Sequence, residues 1–295
     1  MNILSTINKI SLDDIYWNLK TGWPKQKLSV FELRAHLNEQ IKAPVFFFST
    51  GRCGTKWFSE LLKKDKQNAV LHDPQPSFAN QNPLIYQLMN SGMPENEFIN
   101  NLVKEIFFTG REQHMRYIAK AKKRYIETNN YITFFAPVLA DIFPDAKFVH
   151  LIRHPGEFVR SGVRRGYYTD GNSGNIKRIK PYSHKEKEEW EKFSQIQKIT
   201  WLWNATNIFI EEFKLNHGER VNTYNFNRLN PDKLEKLFQL MDIELSSKLI
   251  EKSINVKSNV QEKGYFPVYD DWSDKERESL TNICNMLAKR YDYIL

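Results

Sequence analysis

Short apolar runs recur along the chain between longer stretches that have helical spacing. Residues 45–48 are continuously apolar and residues 147–152 nearly so, which is typical of strands buried on both faces of a sheet. Residues 69–71 and 221–226 are two further predicted strands. Because helical segments separate the strands, the pattern predicts an α/β fold with a central, mostly parallel sheet flanked by helices. We expect a single domain over residues 1–295.

The segments between the strands have apolar residues every three to four positions, as helices do. We predict helices at residues 57–62, 84–128, 157–165, 185–215, 231–241 and 274–291. Glycine or proline is expected to interrupt the second of them at residues 92–94 and at residues 109–110. Residues 167–182, which are rich in glycine and asparagine, are expected to form a loop.

The composition is that of a globular protein. Of the 295 residues, 41% are hydrophobic, 14% aromatic and 26% charged, so a sizeable core can form and disorder is not expected. The formal net charge of +8 favours an anionic partner. Nucleic acid, anionic lipid and a small phosphorylated ligand all satisfy that condition, and charge alone does not choose among them.

The cysteine content and the lengths of the apolar runs indicate in which cellular compartment the protein is expected. Two cysteines, Cys53 and Cys284, cannot build a disulfide framework or a four-ligand zinc site, and they fit a reducing, cytoplasmic setting. The first residues lack the apolar segment of a secretory signal. The longest apolar run is far too short to span a membrane, so we expect a soluble protein without membrane contact.

A loop with phosphate-binding chemistry follows the first predicted strand. Residues 50–56 read Thr-Gly-Arg-Cys-Gly-Thr-Lys, and a helix is predicted to begin at their end. Gly51 and Gly54 allow a tight turn and a close approach to an anion, which the free N–H groups of the helix would bind. Arg52 and Lys56 add two positive charges, although a purely structural turn is the alternative interpretation.

This loop differs from the Walker A motif of ATP- and GTP-binding proteins. Only two residues separate Gly51 from Gly54, where Walker A has four. Lys56 is followed by Trp57, so the hydroxyl that would hold magnesium next to the lysine is missing. The spacing therefore argues against a P-loop kinase or nucleotide hydrolase.

A second set of polar residues follows the strand predicted at residues 147–152. Arg153 comes at the carboxyl end of that strand, where open α/β sheets bind ligands. Ser161 lies eight residues later, on the helix predicted after Pro155. Either residue alone could be structural or simply exposed. Together with the first loop they indicate a ligand that has two separated phosphates.

These two motifs resemble those of the sulfotransferases that depend on 3′-phosphoadenosine 5′-phosphosulfate (PAPS). Residues 50–57 resemble the loop that binds the 5′-phosphosulfate in that family. Arg153, Pro155 and Ser161 match its motif for the 3′-phosphate. The resemblance implies a P-loop-like sulfotransferase fold and transfer of a sulfuryl group from PAPS to a hydroxyl or amine. The product nucleotide would be PAP, and no metal would be required.

Weaker matches accompany the two motifs. Residues 143–148 and 224–229 resemble further family segments, although Asn227 stands where an acidic residue is usual. Lys263 and Gly264 resemble the loop that closes over the 3′-phosphate. The nucleotide-binding residues that the resemblance implies are Arg52, Cys53, Gly54, Thr55, Lys56, Trp57, Arg153, Ser161, Phe226, Lys263 and Gly264.

The resemblance also implies individual roles within the first loop. Arg52 would contact the bridging oxygen of the phosphosulfate, where charge develops during transfer. Thr55 and Lys56 would hold the 5′-phosphate. Trp57 would stack on the adenine, and the alternative is that it is a plain core residue.

A general base is expected near the predicted strand at residues 69–71, which His72 and Asp73 follow. Many family members have His-Glu-Pro there, with the glutamate as base, and others use the histidine. Asp73 occupies the glutamate position and is slightly preferred as the base, and His72 is the other candidate. The alternative is that Asp73 only caps the turn before Pro74. Phe135 stands where many relatives have a lysine, so Arg52 and Lys56 would have to supply the charge.

The acceptor is expected to be a small molecule. It would be bound by residues 1–43, by the helices at 84–128 and by the loop at 167–184, which are rich in aromatic residues. No aromatic stacking motif for nucleic acid accompanies the basic residues, which are spread through predicted helices. His150, on a predicted buried strand, is expected to be a core residue. The sequence does not indicate the oligomeric state.

Overall fold

A computed structural model describes residues 37, 39–90, 97–254 and 264–295. Its centre is one sheet of five parallel strands, which confirms the predicted α/β class. The strands are β1 (Val45–Phe48), β2 (Asn68–Leu71), β3 (Arg124–Glu127), β4 (Lys147–Ile152) and β5 (Val221–Asn225). Their order across the sheet is β2-β3-β1-β4-β5.

Helices connect the strands and cover both faces of the sheet. Within the described residues they are α1 (Thr55–Leu62), α2 (Gln81–Asn90), α3 (Glu97–Lys120), α4 (Ala136–Ile142), α5 (Pro155–Val163), α6 (His184–Glu191), α7 (Gln195–His217), α8 (Pro231–Leu240), α9 (Ser247–Ile254) and α10 (Asp274–Arg290). Short 3₁₀ turns occur at Asn130–Phe135, Ser173–Lys177, Gly218–Arg220, Phe226–Arg228 and Tyr269–Asp271.

The central strand explains why its sequence is apolar throughout. Phe48 packs on one face of the sheet, where its ring centroid lies 5.2 Å from that of Phe148. Phe47 points to the opposite face, 5.3 Å from the ring of Phe58 on α1. Since successive side chains of a strand alternate between faces, a strand covered on both sides needs apolar residues at every position.

Three details of the predicted elements are wrong. Residues 124–127 form strand β3 instead of the end of a helix. Helix α3 continues through Gly110, where a side chain would overlap the ring of Phe78, so this glycine permits close packing and does not end the helix. The long helix predicted at 185–215 is two helices, because Ser194 forms a capping box with Gln197 and starts α7.

Candidate active site

The carboxyl ends of all five strands meet at one edge of the sheet. A cavity of about 970 Å³ opens there, and each strand is followed within five residues by a residue that lines it: Thr50, His72, Asn130, Arg153 and Phe226. Helices α1 and α5, which follow the adjacent strands β1 and β4, pack on opposite faces of the sheet. Such a crevice between oppositely directed connections is where open α/β sheets bind ligands.

The phosphate loop connects β1 to α1 in an unusual backbone conformation. Gly51, Arg52 and Gly54 have φ angles of 76°, 58° and 88°, which lie in the left-handed region. A side chain at Gly54 would overlap the ring of Phe226, so glycine is needed there for packing as well as for φ. Helix α1 begins at Thr55, and no side chain caps it. Its first N–H groups are therefore available to an anion in the cavity.

Cys53 points away from the cavity. Its thiol is buried, donates to the carbonyl oxygen of Gly51 at 3.1 Å and lies 3.3 Å from Oγ1 of Thr50. Burial raises the pKa of the Cys53 thiol above its ordinary value. The side chain thus braces the loop from within, and Cys53 is not among the residues that line the cavity.

The two phosphate motifs, about a hundred residues apart in sequence, are in direct contact. Nε of Arg52 donates to Oγ of Ser161 at 3.3 Å, and Nη1 of Arg153 donates to the carbonyl oxygen of Arg52 at 3.2 Å. Glu157, one turn along α5, holds Nη2 of Arg153 at 2.9 Å. Nε of Arg153 is buried and has no acceptor among the described residues. Arg153 lines the cavity through the rest of its side chain, although this nitrogen is not exposed there.

The cavity is strongly electropositive. Among its described lining residues, seven are cationic and two are carboxylates, an excess of five positive charges. The cations are Arg52, Lys56, Arg153, Arg160, Arg164, Arg165 and Arg178, and the carboxylates are Asp73 and Glu157. Burial lowers the pKa of Arg52, and the nearby charges of Arg165 and Arg153 lower it further. An anion in the cavity would relieve this repulsion.

His72 and Asp73 lie side by side at the cavity wall. Nδ1 of His72 is 3.0 Å from Oγ1 of Thr128, and its Nε2 is 3.8 Å from Oδ2 of Asp73. The Thr128 hydroxyl also lies 3.3 Å from the carbonyl oxygen of Leu71, to which it donates. Because a hydroxyl has one proton, Thr128 must accept from Nδ1–H of His72. In the neutral tautomer that this arrangement favours, the lone pair of His72 is on Nε2.

Trp57 both lines the cavity and belongs to the core. Its indole N–H donates to the carbonyl oxygen of Ser253 at 3.0 Å, and its ring lies edge-on to Phe226 with centroids 6.2 Å apart. Lys56 is about half exposed, and its Nζ lies 4.0 Å from Glu60. The flexible lysine can therefore turn toward a bound phosphate, whereas Trp57 is held in place.

The carboxyl-terminal loop expected over the 3′-phosphate is described from Gly264 onward, and Lys263 lies outside the described residues. The carbonyl oxygen of Gly264 accepts from Nε of Arg164 at 2.9 Å. Arg164 follows α5, the helix that carries Ser161. Gly264 is thus tied to the end of that helix through Arg164, which lines the cavity, although Gly264 itself does not.

The comparison with known proteins agrees with this geometry. The sequence profile of a sulfotransferase family matches residues 44–201, more than half of the chain. The chain belongs to the sulfotransferase family. This sulfotransferase has no significant match among curated protein sequences.

Solved structures of other sulfotransferases resemble the chain at low identity. Sulfotransferase STF9 from Mycobacterium avium is 13% identical, with a TM-score of 0.49 over 89% of this chain and 82% of that one. The sulfotransferase domain from the curacin biosynthetic pathway is 11% identical, with a TM-score of 0.49 over 86% and 99%. The sulfotransferase domain of the Synechococcus PCC 7002 olefin synthase is 15% identical, with a TM-score of 0.48 over 86% and 97%.

Sequence reasoning missed several residues of the sulfotransferase cavity. They are Asn130, Tyr131, Glu157, Arg160, Arg164, Arg165 and Arg178. The arginine pair at 164–165, just beyond the Ser161 motif, was a signal that could have been used. Nothing in the sequence marks Asn130 or Tyr131, because the unpredicted strand β3 is what brings them to the cavity.

The predicted acceptor segments contribute unequally. From the loop at 167–184, Tyr167 and Arg178 line the cavity, while Tyr168 packs on Trp190 at 5.1 Å. Phe107 and Phe108 of α3 are core residues. Residues 1–36 and 38 lie outside the described residues, so the expectation for the amino-terminal segment stays a prediction.

Phe135 is fully buried, with its ring 4.8 Å from that of Phe78, so no cation occupies the position where many relatives have lysine. No helix among the described residues is long and apolar enough to cross a membrane. In the same part of the chain, no three His, Cys, Asp or Glu side chains are grouped as a metal site would require.

Proposed function

We propose that this sulfotransferase uses PAPS as donor and transfers its sulfuryl group to a hydroxyl or amine of a small acceptor. The observation that carries the proposal is the contact between the two phosphate motifs, in which Arg52 donates to Ser161 within an electropositive cavity. A nucleotide with phosphates at both its 3′ and 5′ positions is a ligand that would use both motifs at once. A cavity of about 970 Å³ is within the range that accommodates a nucleotide.

The 5′-phosphosulfate would lie at the start of α1. The free N–H groups of Thr55 and Lys56 and the positive end of the helix dipole favour an anion there. Lys56 can add its ammonium group from the cavity rim. Arg52 lines the cavity and is held by its hydrogen bond to Ser161, and it would stabilise the charge that develops on the leaving phosphate.

The 3′-phosphate would be held by Arg153 and Ser161. Nε of Arg153 is a buried donor without an acceptor in the described residues, and a phosphate oxygen would satisfy it. Glu157 fixes the other end of the same guanidinium, so the donor is already oriented. Trp57 and Phe226 also line the cavity, and they would offer aromatic surface to the adenine.

We propose that Nε2 of His72 accepts the proton of the acceptor. Thr128 orients the imidazole through Nδ1–H and leaves the Nε2 lone pair beside Asp73, at the cavity wall. Asp73 is more than half exposed, and its carboxylate would stabilise the imidazolium that forms. This assignment reverses the slight preference for Asp73 that the sequence supported, and either residue remains testable by substitution.

Sulfuryl transfer is expected to be an in-line displacement in which the chain positions the reactants and stabilises charge. The acceptor oxygen or nitrogen forms a bond to sulfur as the bond from sulfur to the bridging oxygen breaks, and PAP leaves. Arg52 and Lys56 supply the positive charge that the buried Phe135 cannot supply. A small-molecule acceptor and a cytoplasmic location are parts of this proposal that rest on the sequence.

The test is a screen of hydroxyl and amine compounds with ³⁵S-labelled PAPS, read by mass spectrometry and scintillation counting. We expect labelled organic product and PAP to form in equal amounts with the wild-type chain. In Arg52→Ala the rate should fall by about 10²- to 10³-fold, as for the loss of one charge-stabilising donor. Arg220→Ala is a matched control, because Arg220 binds backbone carbonyl groups far from the cavity. ATP-dependent labelling with γ-labelled ATP, and none with PAPS, would contradict the proposal.

A further inference from the structure

A folded loop, residues 164–182, forms part of the cavity wall through Arg164, Arg165, Tyr167 and Arg178. Nδ2 of Asn172 donates to the carbonyl oxygen of Arg165 at 3.0 Å, and the hydroxyl of Tyr168 donates to that of Ile179 at 2.7 Å. These internal hydrogen bonds fix the loop without regular secondary structure over most of its length. The side chains that it presents to the cavity are therefore held in defined positions.

Arg178 of this loop is held by two contacts. Its guanidinium carbon lies 3.6 Å from the centroid of the Tyr167 ring, a stacked cation–π contact. Its Nη1 donates to Oδ1 of Asn175 at 3.1 Å. Among the described residues, no carboxylate forms an ion pair with Arg178. The guanidinium thus lines the cavity as an oriented cation whose remaining donors face no anion.

Arg178 lines the same cavity as Asp73 and Tyr131. The pKa of Tyr131 is raised by burial and then by Tyr167 and Asp73, whereas Arg178 lowers it. Tyr131, Asp73 and Arg178 all line the cavity, so both charges act on a phenol of the cavity wall. The contact of Arg52 with Ser161 joins the loop before α1 to α5.

Charge balance leaves one cation for the acceptor. The 3′-phosphate of PAPS carries about two negative charges at pH 7, and the phosphosulfate carries about one on phosphorus and one on sulfur. The described cavity lining has an excess of five positive charges. The nucleotide would neutralise about four of them. An uncompensated guanidinium in a partly enclosed cavity is costly unless a further anion or water satisfies it.

We propose that the acceptor carries, besides its hydroxyl or amine, a compact anionic group that binds Arg178. A carboxylate is planar, and a phosphate or sulfate ester is tetrahedral. Each offers two oxygens that a guanidinium can bind through paired N–H donors. Binding at Arg178 orients the acceptor, so that its nucleophile faces His72 and the sulfuryl group. This inference rests on the proposed function and names the class of its acceptor.

The test is calorimetric titration of the full chain, saturated with PAP, with inorganic phosphate and separately with acetate at constant ionic strength. We expect saturable binding of at least one anion to the wild-type chain, and the two arms distinguish a doubly charged ester from a carboxylate. Arg178→Gln should weaken this binding at least about tenfold, since a charge-assisted contact is lost. Lys177→Gln, an adjacent exposed cation outside the cavity, should leave it unchanged.

PAP affinity and the melting temperature show whether each variant is folded. If Arg178→Gln is not folded, Arg178→Lys carries the test, because it keeps the charge and loses the paired donors. That variant should weaken the anion about threefold or more. Anion binding that is absent, or that is the same in the folded Arg178 variants and wild type, overturns this inference alone. Failure of PAP itself to bind would instead overturn the proposed donor.

Discussion

At the scale of single residues, the proposed base is His72. Thr128 lies 3.0 Å from Nδ1 of His72 and donates to Leu71, which favours the neutral tautomer whose lone pair is on Nε2. Asp73 lies 3.8 Å from that nitrogen and is more exposed. A solvated carboxylate is a weaker general base at neutral pH than an imidazole, because its conjugate acid is far stronger.

We therefore expect His72→Ala to lower turnover about 10²- to 10⁴-fold while PAP affinity stays within about twofold. Asp73→Asn, which keeps the shape and removes the charge, should cost about tenfold or less, since it loses only the stabilisation of the imidazolium. Single-turnover rates with PAPS and an acceptor found in the screen measure both effects. A larger loss for Asp73→Asn than for His72→Ala would assign the base to the carboxylate.

At the scale of elements, the start of α1 depends on a glycine that allows close packing. Gly54 precedes α1 with a φ of 88°, and a methyl group there would overlap the Phe226 ring. Gly171 has a similar φ of 72° and open space around its Cα. Gly54→Ala should therefore lose about 1–3 kcal/mol more free energy of unfolding than Gly171→Ala, because both incur the backbone strain and only one is overpacked. Urea unfolding of the two variants measures the difference, and equal losses would show that Phe226 moves aside freely.

His150 of strand β4 is buried against helix α7 and makes the free energy of unfolding depend on pH. Nε2 of His150 lies 2.8 Å from Oδ1 of Asn207, and Nδ1 lies 3.3 Å from Oγ1 of Thr223 on β5. Burial lowers the pKa of His150 from 6.5 to about 4. His150 therefore binds a proton near pH 6.5 in the unfolded chain, but only near pH 4 in the folded chain.

Stability should therefore fall as the pH drops from about 6.5 toward 4, with His150 contributing about 3 kcal/mol of that loss. His150→Gln should flatten this part of the curve, whatever its effect at pH 8, because glutamine does not titrate. The free energy of unfolding, measured by urea at each pH, tests it. His184→Gln is the control, since His184 is almost fully exposed. An identical pH slope in wild type and His150→Gln would contradict the assignment.

The elements that sequence predicted best are those with unbroken apolar patterns. β1 and β4 were predicted at their observed bounds because both of their faces are buried. β3 was missed because its polar Glu127 is fully buried in an ion pair with Arg111, 2.7 Å away, and sequence alone does not reveal such a partner. Gly110 was misread because packing against Phe78, and not local propensity, explains it.

At the scale of the whole molecule, the site is assembled by the topology of the sheet. Order β2-β3-β1-β4-β5 places the loops after β1 and β4 next to each other, which is why Arg52 and Arg153 meet. The two motifs were readable from sequence because each lies within one loop and helix. The cavity residues Tyr131 and Arg178 were not, since they come from separate loops that only the fold brings together. The net charge of +8 is thus partly concentrated around one cavity.

The binding of PAP compared with AMP to the full chain, by titration calorimetry, tests the central claim that both motifs hold one nucleotide. We predict that wild type binds PAP at least about tenfold more tightly than AMP. Arg153→Ala should remove most of that difference and leave AMP affinity nearly unchanged, because a charge-assisted contact contributes about 1.5–3 kcal/mol. Ser161→Ala should act in the same direction by less. Equal affinities of wild type for PAP and AMP, or equal losses of both in Arg153→Ala, would contradict the account.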